Sequence, residues 1–184
     1  MIISSGAFVS DNGRLRGENV AGSVRRLKDL PGLFMDDTAY RSMDPEQIVY
    51  EVQLHNSCGS AEGGLLFGTS TVTPGKVGRE YFMTKGHFHE IRNRAEYYWG
   101  ISGKGVLVTM DERRQASTVR IEPGSLHYIP GHAAHRIVNI GDCPLVVGAC
   151  WLADAGYDYD LLAKEGFSVR IVEENGAPAI WSNK

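Results

Sequence analysis

An all-β fold, an antiparallel sandwich or barrel, follows from two observations. From position 63 onward, short runs of strand-forming residues recur between turn signals, at spacings of roughly 8–12 residues. The chain of 184 residues also carries 22 glycines and 7 prolines. That density of turn-formers suits many short strands better than βαβ units. The length predicts one domain, large enough to bury a core without disulfide or metal support. Hydrophobic residues make up 42% and charged residues 22%, near the globular norm, which excludes disorder as a description of the whole.

The elements follow in order. Residues 1–62 read as an N-terminal arm with short helical signals that packs on the barrel. Within it, 23–30 is a short amphipathic candidate stopped by Pro31-Gly32. Asp44-Pro45-Glu46-Gln47 reads as a helix start, with Asp as cap, Pro in the first turn and Gln closing a capping box. Strands are predicted over 65–73, 79–84, 95–101, 105–110, 117–122, 126–129, 134–139 and 145–152, each bounded by Gly, Pro, Asn or Asp. A helix over 158–164 ends at Gly166, and a last strand covers 168–173. The barrel domain is assigned to 63–176 and a polar tail to 177–184. No internal repeat or low-complexity stretch interrupts this plan.

The charge balance excludes several roles. Nineteen Lys and Arg against 22 Asp and Glu give a net charge of -3. The basic residues are not clustered, so neither nucleic-acid nor membrane-surface binding is expected. The longest nearly apolar run, 145–153, is too short to cross a bilayer, and the first residues lack the basic-then-apolar pattern of a signal peptide. Cys58, Cys143 and Cys150 are odd in number and lack CxxC spacing. They are expected as reduced thiols, which points to the cytoplasm.

Four of the six histidines fall in two short windows, Gly86-His87-Phe88-His89 and Pro130-Gly131-His132-Ala133-Ala134-His135. Residues two apart on a strand share a face, so His87 and His89 can reach one ion while Phe88 points into the core. Glu96 lies seven residues past His89, an odd offset on a straight strand. A turn through Ile91-Arg92-Asn93-Arg94 would return it on the neighbouring strand, facing the same pocket. His135 opens another strand after a Pro-Gly turn. Three imidazoles and one carboxylate suit a first-row divalent ion and leave positions open for water or substrate. His55 and His127 read as surface or hydrogen-bonded residues. His132 reads as a loop histidine at the pocket mouth, with a second reading as a proton donor.

These residues carry a resemblance. Gly86-His87-Phe88-His89, Glu96 and Gly103 resemble the first cupin motif, and Gly124, Pro130, His135 and Asn139 the second. Two departures are the longer gap between His89 and Glu96, and His132 where cupins commonly have Gly. The run Pro74-Gly75-Lys76-Val77-Gly78-Arg79-Glu80-Tyr81-Phe82-Met83-Thr84-Lys85-Gly86-His87-Phe88-His89, with Arg94-Ala95-Glu96, is similar to the signature of cupin-type glucose-6-phosphate isomerases. The match continues through 134–142, 153–159 and 173–176.

The resemblance implies a cupin jelly-roll β-barrel and His87, His89, Glu96 and His135 as metal ligands, in agreement with the spacing argument. It implies interconversion of glucose 6-phosphate and fructose 6-phosphate, with a sugar phosphate as the small-molecule partner. It also implies a homodimer, Fe²⁺ as the metal, a phosphate pocket near Thr84, Gly86 and Ser70, and Tyr98 as a pocket tyrosine. Ligand type equally permits Mn²⁺, Ni²⁺, Co²⁺ or Zn²⁺. Trp151 stands where the family pattern has Tyr, and Tyr157 where it has His. Lys85 shares strand parity with His87 and His89 and is a further candidate for the phosphate.

Moving hydrogen between C1 and C2 of a sugar needs a base and a stabiliser of developing oxyanion charge. Glu96 is the candidate base for a proton-transfer route, and a metal-assisted hydride shift would leave it only a ligand. Alternatives at this stage are mannose 6-phosphate isomerisation, an Fe-dependent cupin oxygenase, and a sugar-phosphate-binding module without turnover.

Overall fold

A computed structural model describes residues 6–183. In chain order its strands are β1 (Ala7–Val9), β2 (Leu15–Gly17), β3 (Val20–Arg26), β4 (Ile48–His55), β5 (Leu65–Val72), β6 (Lys76–Val77), β7 (Glu80–Tyr81), β8 (Glu96–Ser102), β9 (Gly105–Asp111), β10 (Ala116–Ile121), β11 (Leu126–Ile129), β12 (Ala133–Asn139), β13 (Leu145–Leu152), β14 (Val169–Glu174) and β15 (Ala177–Ser182). Two short helices, α1 (Asp37–Ser42) and α2 (Asp160–Glu165), complete it with one 3-10 turn, Leu27–Asp29.

Two layers face each other. The first is a six-stranded antiparallel sheet in the order β11-β8-β13-β5-β4-β3. The second is built on β10-β9-β12. The chain running on from β7 extends that layer, pairing with β12 at Met83–Val138 and at His87–His135. On its other side β7 pairs with β14, and β14 with β15. Val49, Val72, Phe82, Val108, Val138 and Leu145 fill the interior and are wholly buried. Removing one of their large members, as in Phe82→Ala, would cost about 3–5 kcal/mol in transfer and cavity terms. This double antiparallel layer is the all-β barrel that the strand spacing predicts.

The strands from β5 to β14 lie within a residue or two of their predicted places, apart from β6, which no prediction covers, and 79–84, of which only Glu80–Tyr81 forms a regular strand. Three expectations fail. The 23–30 segment is β3 followed by the 3-10 turn, not a helix. Pro31-Gly32 leaves too few residues to nucleate an isolated helix, and β4 offers a complete ladder instead. Asp44 does cap, but it caps a turn: its carboxylate accepts from Glu46 N at 2.9 Å and its carbonyl from Gln47 N at 3.0 Å. The β-branched Ile48-Val49 that follows then continues as strand β4.

The predicted polar tail 177–184 contains β15, hydrogen-bonded to β14 across Asn175-Gly176. Both turn residues have positive φ, 52° and 77°, the conformation of a two-residue hairpin turn for which Asn-Gly is the preferred sequence. The segment 1–62 likewise does more than rest on the barrel. Its β3 and β4 are members of the six-stranded sheet, while residues 1–5 of the expected arm lie outside the described residues.

Candidate metal centre

Gly86 opens the site. Its φ is +74°, and a Cβ there would sit 2.7 Å from the Phe167 ring and 3.0 Å from the His135 carbonyl. The tight approach brings the HxH run against β12, where His87 and His135 exchange backbone hydrogen bonds at 3.3 and 3.1 Å. Their imidazoles meet edge to face, with centroids 4.6 Å apart. Phe88 points the opposite way, is fully buried, and lies under the Arg92 guanidinium at 4.6 Å. The period-two argument thus holds at all three positions.

The stretch after His89 is pinned by arginines. Arg94 grips Asp154 with two nitrogens at 3.0 and 2.7 Å, and Arg92 pairs with Asp158. Glu96 then opens β8. It does not return on a strand paired with the HxH run, as the offset suggested. It comes from the opposite sheet, where β8 pairs with β13 and β11, and it reaches the histidines across the interior.

Ligand atoms of His87, His89, Glu96 and His135 all lie within 4.8 Å of one another. Oε2 of Glu96 is 3.2 Å from Nε2 of His89 and 3.0 Å from Nε2 of His135. Nδ1 of His89 faces the Arg94 carbonyl at 2.8 Å, and Nδ1 of His135 faces the Ala133 carbonyl at 3.3 Å. A carbonyl can only accept, so each Nδ1 donates outward and each Nε2 is turned inward, toward Glu96. Nε2 of His87 and of His135, both buried, make no hydrogen bond. Three imidazole nitrogens and a carboxylate oxygen gathered this closely fit a divalent ion.

Electrostatics agree. Burial pushes His87 well below the ordinary imidazole range, helped by His135 and His89, and so keeps it neutral. Burial alone would raise the Glu96 carboxyl, but His135 and His89 outweigh it and hold it below its ordinary value. Burial alone would lower His89, but the Glu96 carboxylate and the Arg94 carbonyl outweigh it and raise it.

The cluster opens on a cavity of about 440 Å³ between the two sheets. Ser70, Thr84, Lys85, Gly86, Tyr98, Trp151 and Tyr157 all line it. Thr84 accepts from Ile137 N at 3.1 Å, which leaves its hydroxyl hydrogen to donate. Tyr98 meets His135 edge-on at 5.6 Å, inward as strand alternation requires, while Tyr97 on the same strand is exposed. Burial raises the Tyr98 phenol well above its ordinary value and pushes Tyr157 up to about 12. Both are therefore neutral hydroxyl donors at pH 7. Tyr157 packs against His87 at 4.9 Å and against Tyr159, and the Lys85 ammonium sits 4.5 Å over the Tyr159 ring.

Sequence reasoning missed Arg25, Tyr50, Thr69 and Tyr159, which also line the cavity. Arg25 and Tyr50 reach it only because β3 and β4 extend the sheet. Tyr159 had a signal, its period-two spacing from Tyr157. His132 lies away from the cavity, exposed, with Glu112 at 3.5 Å, so neither reading made for it fits. Its φ of 64° explains why glycine is common at this place in the motif. His127 is buried and hydrogen-bonded to Ser125 at 2.8 Å.

A double antiparallel sheet that gathers an HxH pair, a glutamate and a third histidine around one interior point defines a cupin. The model of the family described as glucose-6-phosphate isomerase matches residues 24–183. The glucose-6-phosphate isomerase of Thermococcus litoralis is 43% identical over 168 residues, covering 90% of this chain and 88% of its own. That of Pyrococcus furiosus is 42% identical over the same shares. The Sinorhizobium medicae relative of the same name is 40% identical over 154 residues, 82% of this chain and 72% of its own. The likeness to solved structures such as Bacillus subtilis oxalate decarboxylase is partial, with a TM-score of 0.45 at 26% identity over 59% of this chain and 26% of that chain. The chain belongs to the glucose-6-phosphate isomerase family and is an enzyme of that family. Among the described residues no helix is long and apolar enough to cross a membrane.

Proposed function

We propose that the cavity binds glucose 6-phosphate and fructose 6-phosphate and interconverts them at an ion held by His87, His89, Glu96 and His135. The observation that carries this reading is the set of inward ligand atoms, all within 4.8 Å of one another, facing a cavity lined by neutral hydroxyls and Lys85. A divalent ion there, Fe²⁺ by family resemblance, would supply Lewis-acid polarisation of the sugar. Glu96 carries the proton between C2 and C1. Its lowered pKa keeps it a carboxylate at neutral pH, ready to accept.

Tyr98 and Tyr157 donate to sugar oxygens. Thr84 and Ser70 hydroxyls, the Gly86 N–H and the Lys85 ammonium receive the phosphate. Trp151, buried in the same wall, orients the sugar. The enzyme works in the cytoplasm, which suits its three free cysteines, and it works as a homodimer.

The test is a coupled assay on chelator-stripped protein. Fructose 6-phosphate goes in, and NADPH is read through glucose-6-phosphate dehydrogenase, with Fe²⁺, Mn²⁺, Zn²⁺ or nothing restored. Turnover that returns only with metal is expected, and the order of rates ranks the ions. Stoichiometric metal binding without turnover would leave only a binding module. Mannose 6-phosphate, run in parallel through added mannose-specific coupling, tests whether Trp151 and Tyr157 have changed the sugar accepted.

A further inference from the structure

Two cations line the cavity at the metal centre, Lys85 and Arg25, and the function proposed above uses only the first. They reach it from opposite layers. Lys85 lies beside β12, between the Thr84–Ile137 and His87–His135 backbone hydrogen bonds. Arg25 stands on β3, the edge strand of the six-stranded sheet. Register sets its direction. Arg25 pairs with Tyr50, as Ser23 does with Val52 and Ala21 with Leu54. All six line the cavity, so the row that holds Arg25 is the inner face of the sheet. Ser70, paired with Val52, continues that face one strand further in.

The Arg25 guanidinium is barely engaged by the protein. One terminal nitrogen donates to the Val24 carbonyl at 3.2 Å, and Arg25 makes no ion pair among the described residues, whereas the adjacent Arg26 faces Glu46 at 3.5 Å. Asp29, an acid of the same lining, accepts from the Arg26 N–H at 2.9 Å. Burial raises the phenols of Tyr50 and Tyr159, and the Arg25 charge is near enough to oppose the rise in both. The Lys85 ammonium sits 4.5 Å over the same Tyr159 ring. The two cations thus share a neighbour across the opening. Like charges that converge on one cavity repel, and a dianion placed between them turns that repulsion into attraction.

We infer that Arg25 is a second cation of the phosphate subsite, holding the substrate's phosphate from the β3 side while Lys85 holds it from the other layer. The inference rests on the sugar-phosphate reading. A guanidinium offers paired N–H donors in one plane, which match two oxygens of a phosphate, where an ammonium offers a point charge. Arg25 is therefore a specificity-determining residue: it favours a sugar with a terminal phosphate over one with a neutral hydroxyl at the same carbon.

Calorimetric titration of the metal-loaded protein with 1,5-anhydroglucitol 6-phosphate tests this. That probe carries the ring and the phosphate but no anomeric hydroxyl, so it binds without turning over. Arg25→Gln is expected to weaken it about tenfold or more, the scale of losing a hydrogen bond to a charged group. Arg25→Lys should recover part of the loss. Arg41→Gln, which removes the same charge from α1 outside the cavity, should titrate as wild type. Added salt should weaken wild-type binding more steeply than that of Arg25→Gln, and the KM for fructose 6-phosphate should rise as the probe affinity falls. Titrations of Arg25→Gln that superimpose on wild type overturn the inference even where wild type isomerises fructose 6-phosphate, as does an equal loss in Arg41→Gln. An Arg25-dependent affinity in a protein that isomerises nothing upholds the inference and overturns the catalytic reading alone.

Discussion

Glu96 faces two demands at once. As a ligand it must stay ionised beside two imidazoles, and as a base it must accept a proton. In the protein its Oε2 is shared between His89 and His135 at 3.2 and 3.0 Å, which favours the ionised form. Glu96→Gln keeps the shape and removes the charge. Turnover of the metal-loaded variant should fall by at least about 10²–10⁴, the usual worth of a positioned acid–base group. Metal analysis of the same sample separates lost chemistry from lost ion. His135→Ala should lose both. Wild-type rates in both variants, after chelation and metal replacement, would place the active site elsewhere.

The next scale is the turn and strand. The approach of the HxH run to β12 depends on Gly86, where φ is +74° and a side chain would meet the Phe167 ring and the His135 carbonyl. Gly86→Ala should cost about 1–3 kcal/mol of stability, the range for a residue forced into a sparse backbone region, and should weaken metal binding in parallel. A urea midpoint and a metal titration, both unchanged from wild type, would refute this. The loop before β8 has its own anchor. Hydrogen bonds from Arg94 hold the Asp154 carboxyl below its ordinary range, while the Arg94 carbonyl orients His89. A carboxyl whose folded pKa lies below its unfolded value of about 3.9 stabilises the fold above that pH and loses the contribution as pH falls through the folded value. Stability should therefore drop more steeply below about pH 4 in wild type than in Asp154→Asn, as followed by denaturant midpoints across that range.

Much of this was readable in the chain. Strands from β8 to β13 are bracketed by turn residues, so their place came from local rules, as the shared face of His87 and His89 came from period two. What stayed hidden depends on contacts distant in sequence. Nothing local says that Glu96 belongs to the opposite layer, or that β3 and β4 extend the sheet far enough to bring Arg25 and Tyr50 into the cavity. The β14–β15 hairpin is different. Asn175-Gly176 was a legible turn signal, and Pro178 between two alanines, all weak strand formers, masked the strand beyond.

For the whole molecule, the outer face of the six-stranded sheet carries an aromatic row toward its β11 end. Register places Tyr128, Tyr97, Cys150 and Phe67 in one row across four strands, and Leu126 beside Trp99 in the next. Leu126 is 68% and Tyr128 59% exposed. An aromatic patch of this kind marks an association surface, and a second copy of the chain is the occupant that the proposed homodimer requires. Tyr128→Glu combined with Leu126→Glu should sediment as a monomer where wild type sediments as a dimer. A double variant that remains dimeric would move the interface to another face.

Glu96 and the HxH run belong to different layers, and they meet at the candidate ion site. An occupant of that point rivets the two sheets together, so loading the protein is also a mechanical event. Ligand that binds only the closed arrangement stabilises it by mass action, about 2.7 kcal/mol at a hundredfold excess over its dissociation constant. Starved of metal, the barrel would loosen first along the seam between β8 and β12 and leave the rows away from that seam tight. Metal supply would then govern how long the folded chain lasts as well as how fast it turns over.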